Sequence, residues 1–168
     1  MRKTKVMAEF LIRGDDFDPS VISERLGIVA TRSFAKDTEE KPVIYTFTQI
    51  PDTFVPVSDD EFRNAGNGVK YQPPQLPKPK HFSLWEIDTG YQESVDANIQ
   101  LEQIYDRMKG KVEILRELKN QYGLNYSIEI VPQIEHNEKP ALYLDQYIID
   151  FAHKIGAIVD IDLYIYSS

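Results

Sequence analysis

The chain has 168 residues, enough for one compact domain, and its composition is globular, with 42% hydrophobic and 27% charged residues. It contains no cysteine, which excludes disulfides, thiolate nucleophiles and Cys-ligated metal sites. The formal net charge is −8, and it comes from residues 81–168, which hold 7 basic and 15 acidic side chains against 12 of each in residues 1–80. This charge disfavours nucleic acid as a partner and favours a basic protein.

The first half of the chain predicts a strand, a short helix and further strands. Residues 5–13 alternate between apolar and polar side chains, as in a half-buried strand rather than a signal peptide. Asp18 and Pro19 are typical of a helix start, and Gly27 is typical of its end. Residues 31–34 and 43–50 then read as strands. No apolar window has the length of a membrane span, so we expect a soluble, cytoplasmic protein without a membrane partner.

Residues 51–80 break the pattern of regular elements. Six of the ten prolines fall in this range, together with a cluster of asparagine and glycine. Such a composition favours extended, irregular backbone. We predict a proline-rich insertion or long loop within a single domain spanning residues 1–168.

The pattern resumes with a strand over residues 81–88, which contains the only tryptophan, Trp85. Apolar residues at three- and four-residue steps then predict a long helix that Ser94 caps, Gly110 interrupts and Gly123 ends. Residues 126–134 alternate as a strand, and Pro132 predicts that this strand is an edge or carries a bulge.

The end of the chain predicts a helix that starts at Asp145 and closes at Gly156, followed by a strand over residues 158–166. In that strand Val159, Ile161, Leu163 and Ile165 form one row, which we expect to face the core. Asp160, Asp162, Tyr164 and Tyr166 form the opposite row, because side chains alternate across a sheet.

These elements predict an α+β fold with a mainly antiparallel sheet. Helices cover one face of the sheet, and the other face is partly exposed to solvent. The two ends of the chain share the order strand, Asp-capped helix, glycine and strand. This similarity suggests a weakly duplicated split βαβ arrangement of the ferredoxin-like type.

The polar row of the final strand is the candidate partner-binding surface. If residues 5–13 and 126–134 share the sheet, Glu9, Glu129 and Glu135 extend this surface. Carboxylates beside tyrosines suit a protein partner rich in lysine and arginine. The competing interpretation is a solvated sheet face without a partner. We name Asp160, Asp162, Tyr164, Tyr166 and Glu129 as the candidate contacts.

Motifs for catalysis are absent from the sequence. It has no phosphate-binding glycine loop and no Gly-x-Ser-x-Gly elbow, and we expect His81, His136 and His153 to be structural or exposed. We expect no cofactor. The alternative function is a small metal-dependent hydrolase or transferase that uses the Asp160 and Asp162 pair. A third possibility is a structural subunit that oligomerises through an exposed strand edge.

Several short stretches together resemble the bacterial domain of unknown function family 4279. They are Gly14-Asp15, Leu26-Gly27-Ile28 with Thr31-Arg32, Trp85 before Thr89-Gly90-Tyr91-Gln92-Glu93-Ser94, Pro140-Ala-Leu142 and Asp160-Ile-Asp162-Leu-Tyr164. The resemblance implies no assigned activity. By analogy, small acidic bacterial domains without a cofactor act as immunity proteins. We therefore expect a non-enzymatic binding module, in its most concrete form an immunity protein that neutralises a basic toxin by occlusion.

Overall fold

The protein is described by a computed structural model, which describes residues 3–37 and 81–166. These two ranges belong to one packed unit. The strand predicted over 43–50 and the loop predicted over 51–80 lie outside the described residues.

Within these ranges the chain forms seven strands and four α-helices. The strands are β1 (Lys5–Gly14), β2 (Arg32–Phe34), β3 (Ser83–Asp88), β4 (Gln92–Glu93), β5 (Asn125–Glu135), β6 (Ala157–Ile161) and β7 (Tyr164–Tyr166). The helices are α1 (Pro19–Leu26), α2 (Asn98–Met108), α3 (Val112–Tyr122) and α4 (Gln146–Ile155), and a 3-10 turn (Lys109–Lys111) joins α2 to α3.

All the described strands belong to one mixed sheet with the order β2-β3-β1-β5-β6, in which β4 also pairs with β1 and β7 also pairs with β5. The pairs around β1 and β3 are antiparallel, whereas β6 and β7 run parallel to β5. The parallel pairing arises because α4 carries the chain back between β5 and β6. The predicted α+β class is confirmed.

The core lies between one face of the sheet and the four helices. Val6, Ala8, Phe10 and Ile12 of β1 are fully buried there, as the alternation of residues 5–13 predicts. Trp85 of β3 is also fully buried, and its indole Nε1 donates a 2.8 Å hydrogen bond to Ser23 Oγ of α1. Burial of both the ring and its donor fixes α1 against the sheet.

Most of the predicted helix ends are found, but the start of α2 differs. Asp18 caps α1 by accepting a hydrogen bond from the Ser20 amide at 2.9 Å, and left-handed glycines follow α1, α3 and α4. Ser94 was expected to cap the long helix. Instead it forms a turn with Asp96, and the Asp96 carboxylate accepts from the Asn98 amide where α2 begins. Gly110 lies in the 3-10 turn that separates α2 from α3.

The prediction that Pro132 marks an edge or a bulge is wrong. β5 lies between β1 and the β6–β7 pair, and its register with β1 continues through Pro132 without an extra residue. The Ile130 carbonyl accepts a hydrogen bond from the Asp162 amide, so residue 130 faces β6. Main-chain groups alternate in direction, so the Pro132 nitrogen points the same way, toward the break between β6 and β7. The missing N–H therefore falls where the ladder between β5 and the β6–β7 segment is interrupted.

The prediction of one final strand with a buried aliphatic row is also wrong. The segment forms two short strands, and Ile161, Leu163 and Ile165 are 41%, 50% and 65% exposed. Val159 alone of the predicted row packs against the core, and it does so partly. The alternation reports which residues share a face, but these strands lie at the sheet's end, where the helices do not cover that face.

The two ends of the chain differ in how their strands pair. β3 lies between β1 and β2, which gives a split βαβ unit, whereas β6 pairs directly with β5. The ferredoxin-like duplication therefore stays a prediction.

Candidate functional site

The face of the sheet opposite the helices carries a row of carboxylates. Strand register places Asp88 beside Glu9, Glu9 beside Glu129 and Glu129 beside Asp160. We call these four residues the acidic row. Neighbouring strands lie about 5 Å apart, so each carboxylate in the row has another as its direct cross-strand neighbour. The prediction that Glu9 and Glu129 share a face with Asp160 is confirmed by this register.

Glu9 has the most perturbed carboxyl group of the row. The pKa of Glu9 is raised from its ordinary value of 4.5 to about 7, first by burial and then by the charges of Glu86, Glu129 and Asp88. The Arg32 guanidinium opposes this shift. Near neutral pH the row therefore holds a carboxyl group that is poised between its two protonation states.

Two arginines partly compensate this concentration of negative charge. Arg32 Nε and Nη2 donate to Glu86 Oε2 at 3.0 and 2.7 Å, and Arg13 Nη2 lies 3.5 Å from Glu129 Oε1. Burial nevertheless raises the pKa of Glu86, because desolvation outweighs the Arg32 charge. Ser127 Oγ also donates to Glu129 Oε1 at 3.1 Å. Glu129 is thus held in place and is the least accessible of the predicted contacts.

The other four predicted contacts lie together at the end of the sheet and are exposed. Register places Tyr164 beside Gln133 and Tyr166 beside Glu135, on the same face as Asp160. Asp162 lies in the break between β6 and β7, where its Oδ2 accepts a 2.7 Å hydrogen bond from the Tyr164 hydroxyl. This bond raises the pKa of Tyr164 and orients its ring beside the carboxylates.

None of the described helices covers this face of the sheet, which we call the helix-free face, and accessibility divides it into two parts. Leu11, Leu84, Glu86 and Ser127 belong to this face by register but are buried. The side chains of β6 and β7 on the same face are exposed. The part available to a partner is therefore the end formed by Asp160, Asp162, Tyr164 and Tyr166, with the acidic row running inward from it.

Tyr91 belongs to this surface, and sequence reasoning did not assign it. The turn after β3 positions it: Thr89 exchanges hydrogen bonds with the main chain of Ala8, and Gly90 adopts a positive φ of 65°. Burial raises the pKa of Tyr91, and the charges of Glu9 and Asp162 raise it further, while a hydrogen bond with the Gln133 side chain opposes the shift. Its place in the Thr89 to Ser94 stretch that carries the family resemblance was the available signal.

Across residues 3–37 and 81–166, no group of three or more His, Asp or Glu side chains is arranged to hold a metal ion. Asp160 Oδ1 accepts from the Ile161 amide, and Asp162 is bonded to Tyr164. His81, His136 and His153 are all exposed. No helix in the described part of the chain has the length and apolar character to cross a membrane.

The fold and this face define an α+β domain whose one sheet face is covered by helices and whose other face is acidic and aromatic at its open end. The chain belongs to the family Domain of unknown function (DUF4279), whose model matches residues 53–166. The match includes Trp85, Tyr91, Asp160 and Asp162. The elements β1, α1 and β2 precede it. Comparison with curated proteins and with solved structures finds no significant match.

Proposed function

We propose that this chain is a non-enzymatic binding module that docks a cationic surface of a partner protein on its helix-free sheet face. Its most concrete form is an immunity protein that occludes a basic bacterial toxin in the cytoplasm. The observation that carries the proposal is the exposed grouping of Asp160, Asp162, Tyr164 and Tyr166 at the end of the acidic row. No chemistry by the module itself is needed for inhibition of this kind.

The physical reasoning rests on charge and contact area. The carboxylates attract lysine and arginine and increase the association rate, while tyrosine supplies a large contact area at low entropic cost. Glu9 adds a pH dependence, because a cationic partner favours its charged form. Binding should therefore strengthen as pH rises toward 8, and near pH 7 it should release a fraction of a proton from Glu9.

The first experiment uses the gene that neighbours this one. If its product ends in a basic domain, that purified domain is titrated calorimetrically against the chain. The double variant Asp160→Asn with Asp162→Asn should bind at least about tenfold more weakly and with a shallower salt dependence.

The matched control is Glu102→Gln with Glu113→Gln, which removes the same two charges from exposed positions on α2 and α3. This control should bind as the unmodified chain does. Equal affinity of all three proteins would contradict the proposed docking face, and a neighbouring product without a basic domain would count against the toxin partner.

A further inference from the structure

Within the part of the chain that the structure describes, the β6–β7 end of the sheet has a free main-chain edge. Among the described strands, none pairs with the outer side of β6 or of β7. Together the two strands and the break between them run from residue 157 to residue 166. An extended run of this length spans roughly 30 Å, which is long enough to receive another strand.

The hydrogen bonds already made identify which groups point outward. The Asp162 amide donates to the Ile130 carbonyl of β5. The main-chain N–H and C=O groups of the even-numbered residues of β6 therefore point toward β5. By the same alternation along β5, the main-chain groups of Ile134 point toward β7. Its in-register partner in this parallel pair is Ile165, whose own main-chain groups point the other way. The main-chain groups of Val159, Leu163 and Ile165 therefore point away from the sheet. The Ile161 amide also points outward, and Asp160 Oδ1 accepts from it at 2.8 Å.

The side chains along this edge alternate in chemistry between the two faces. Ile161, Leu163 and Ile165 are exposed aliphatic residues on the helix side. Asp160, Tyr164 and Tyr166 lie on the helix-free face, and Asp162 is bonded to Tyr164 between them. A strand added here would need aliphatic side chains on one face and cationic side chains on the other.

We infer that the β6–β7 edge binds an extended segment of the partner protein in which aliphatic and basic residues alternate, by strand addition to the sheet. The inference rests on the proposed function and specifies the partner's contact segment. Main-chain hydrogen bonds to Val159 and Ile165 supply affinity, and the alternation of side chains supplies specificity.

A second copy of the chain is a poorer occupant for this edge. An antiparallel pair of two β6–β7 edges would bring Asp160 and Asp162 of both copies onto the same face. Like charges on neighbouring strands are destabilising, and carboxylates on an edge strand prevent self-pairing. The same carboxylates attract a basic strand.

The test uses a fluorescent peptide of about eight residues, alternating Lys and Val, which matches the length of an ordinary strand. Anisotropy should show binding of this peptide to the full chain. A peptide of the same composition with the Lys residues and the Val residues in separate blocks should bind at least about tenfold more weakly, because it cannot match both faces. A Glu and Val alternating peptide should not bind.

Amide hydrogen exchange locates the contact. In the free chain the amides of Val159, Leu163 and Ile165 should exchange rapidly, and the Lys and Val peptide should protect them. Occupation of the helix-free face alone would leave these amides unprotected.

A pair of variants at one position separates the main chain from the side chain. Ile165→Pro removes an outward N–H and leaves the bonds to β5 intact, whereas Ile165→Ala keeps the N–H and removes the exposed side chain. The Pro variant should lose peptide binding at least about tenfold relative to the Ala variant. Leu163→Pro, in the break between the strands, is the second variant if Ile165→Pro unfolds.

Each outcome decides the inference. Strand addition is overturned if the peptide binds in a charge-dependent way without protecting these amides. It is also overturned if both Pro variants still bind the peptide. Neither result contradicts the proposed docking face. Failure of the alternating peptide to bind overturns strand addition, while the neighbouring basic domain still tests the proposed function. Protection of the same amides by self-association without peptide would make a second copy the occupant and would also overturn it.

Discussion

Glu9 illustrates how strongly neighbouring strands determine the behaviour of one side chain. Its position on β1 places it between Asp88 and Glu129, and it is half-buried. Burial and these charges raise its pKa to about 7, so its protonated form is favoured in the folded state. The stability that Glu9 contributes is full below its ordinary pKa of 4.5 and is lost as pH rises through about 7.

We predict that Glu9→Gln removes this loss. Between pH 5 and pH 8 the unmodified chain should lose about 1 to 2 kcal/mol of unfolding free energy relative to the variant, a value reduced for solvent screening of a half-exposed group. Urea denaturation at both pH values measures the difference. Glu24→Gln, on the exposed side of α1, is the control. The same pH dependence in the unmodified chain and the Glu9 variant would show that the pKa of Glu9 is not raised in the folded protein.

At the scale of elements, short breaks in the chain decide how the helices and strands fit the core. The 3-10 turn lets α2 and α3 both bury apolar residues, among them Leu101, Met108 and Leu115. The break at Asp162 between β6 and β7 lies opposite Pro132 of β5. Both breaks follow from local chemistry: glycine weakens a helix, and proline removes one donor.

Gly110 is a position where alanine should stabilise the protein. A Cβ there would meet no atom within 4 Å, and the residue does not have a positive φ. We expect Gly110→Ala to raise the unfolding free energy by about 0.5 kcal/mol, since alanine restricts the unfolded chain more than glycine does.

Gly14→Ala is the matched substitution, and we expect it to lower the free energy of unfolding. A Cβ at Gly14 would lie 2.8 Å from Leu124 Cδ2 and 3.0 Å from Phe17 Cδ1, both in the core. It should destabilise the fold by about 1 to 3 kcal/mol. Thermal melts of the two variants measure both effects, and a loss of stability in Gly110→Ala would mean that the turn requires glycine.

At the scale of the whole molecule, negative charge is distributed unevenly over the described surface. The acidic row lies on the helix-free face, whereas Arg116, Lys119, His153 and Lys154 gather at the opposite layer, around the ends of α3 and α4. Lys119 Nζ donates to the Gly156 carbonyl at 2.6 Å and so links these two helices. A basic partner is therefore attracted toward one face and not the other.

This arrangement predicts that moderate salt stabilises the protein near pH 8. Raising sodium chloride from low concentration to about 0.2 M should increase the melting temperature by a few degrees, because it screens repulsion within the acidic row. The increase should be smaller at pH 5.5, where Glu9 is protonated, and smaller in Glu9→Gln. A melting temperature that falls or stays constant with salt would contradict net repulsion at this face.

Much of the fold followed from the order of residues alone. Alternation in residues 5–13 and 126–134 identified the core faces of β1 and β5, and Asp18, Gly27 and Gly123 marked helix ends. These signals are local, because a strand's period and a helix's cap depend on residues close in sequence. The same alternation correctly placed Asp160, Tyr164 and Tyr166 on one face.

The tertiary structure decided how those elements pair and which of their faces are covered. Alternation cannot show that β6 and β7 lie at the end of the sheet, so an aliphatic row that looked like core is exposed instead. Nor can it show that Asp88, Glu9, Glu129 and Asp160 form one row, because strand order and register depend on contacts between residues far apart in sequence. The acidic character was present in the sequence, and its concentration into one surface is a product of strand pairing.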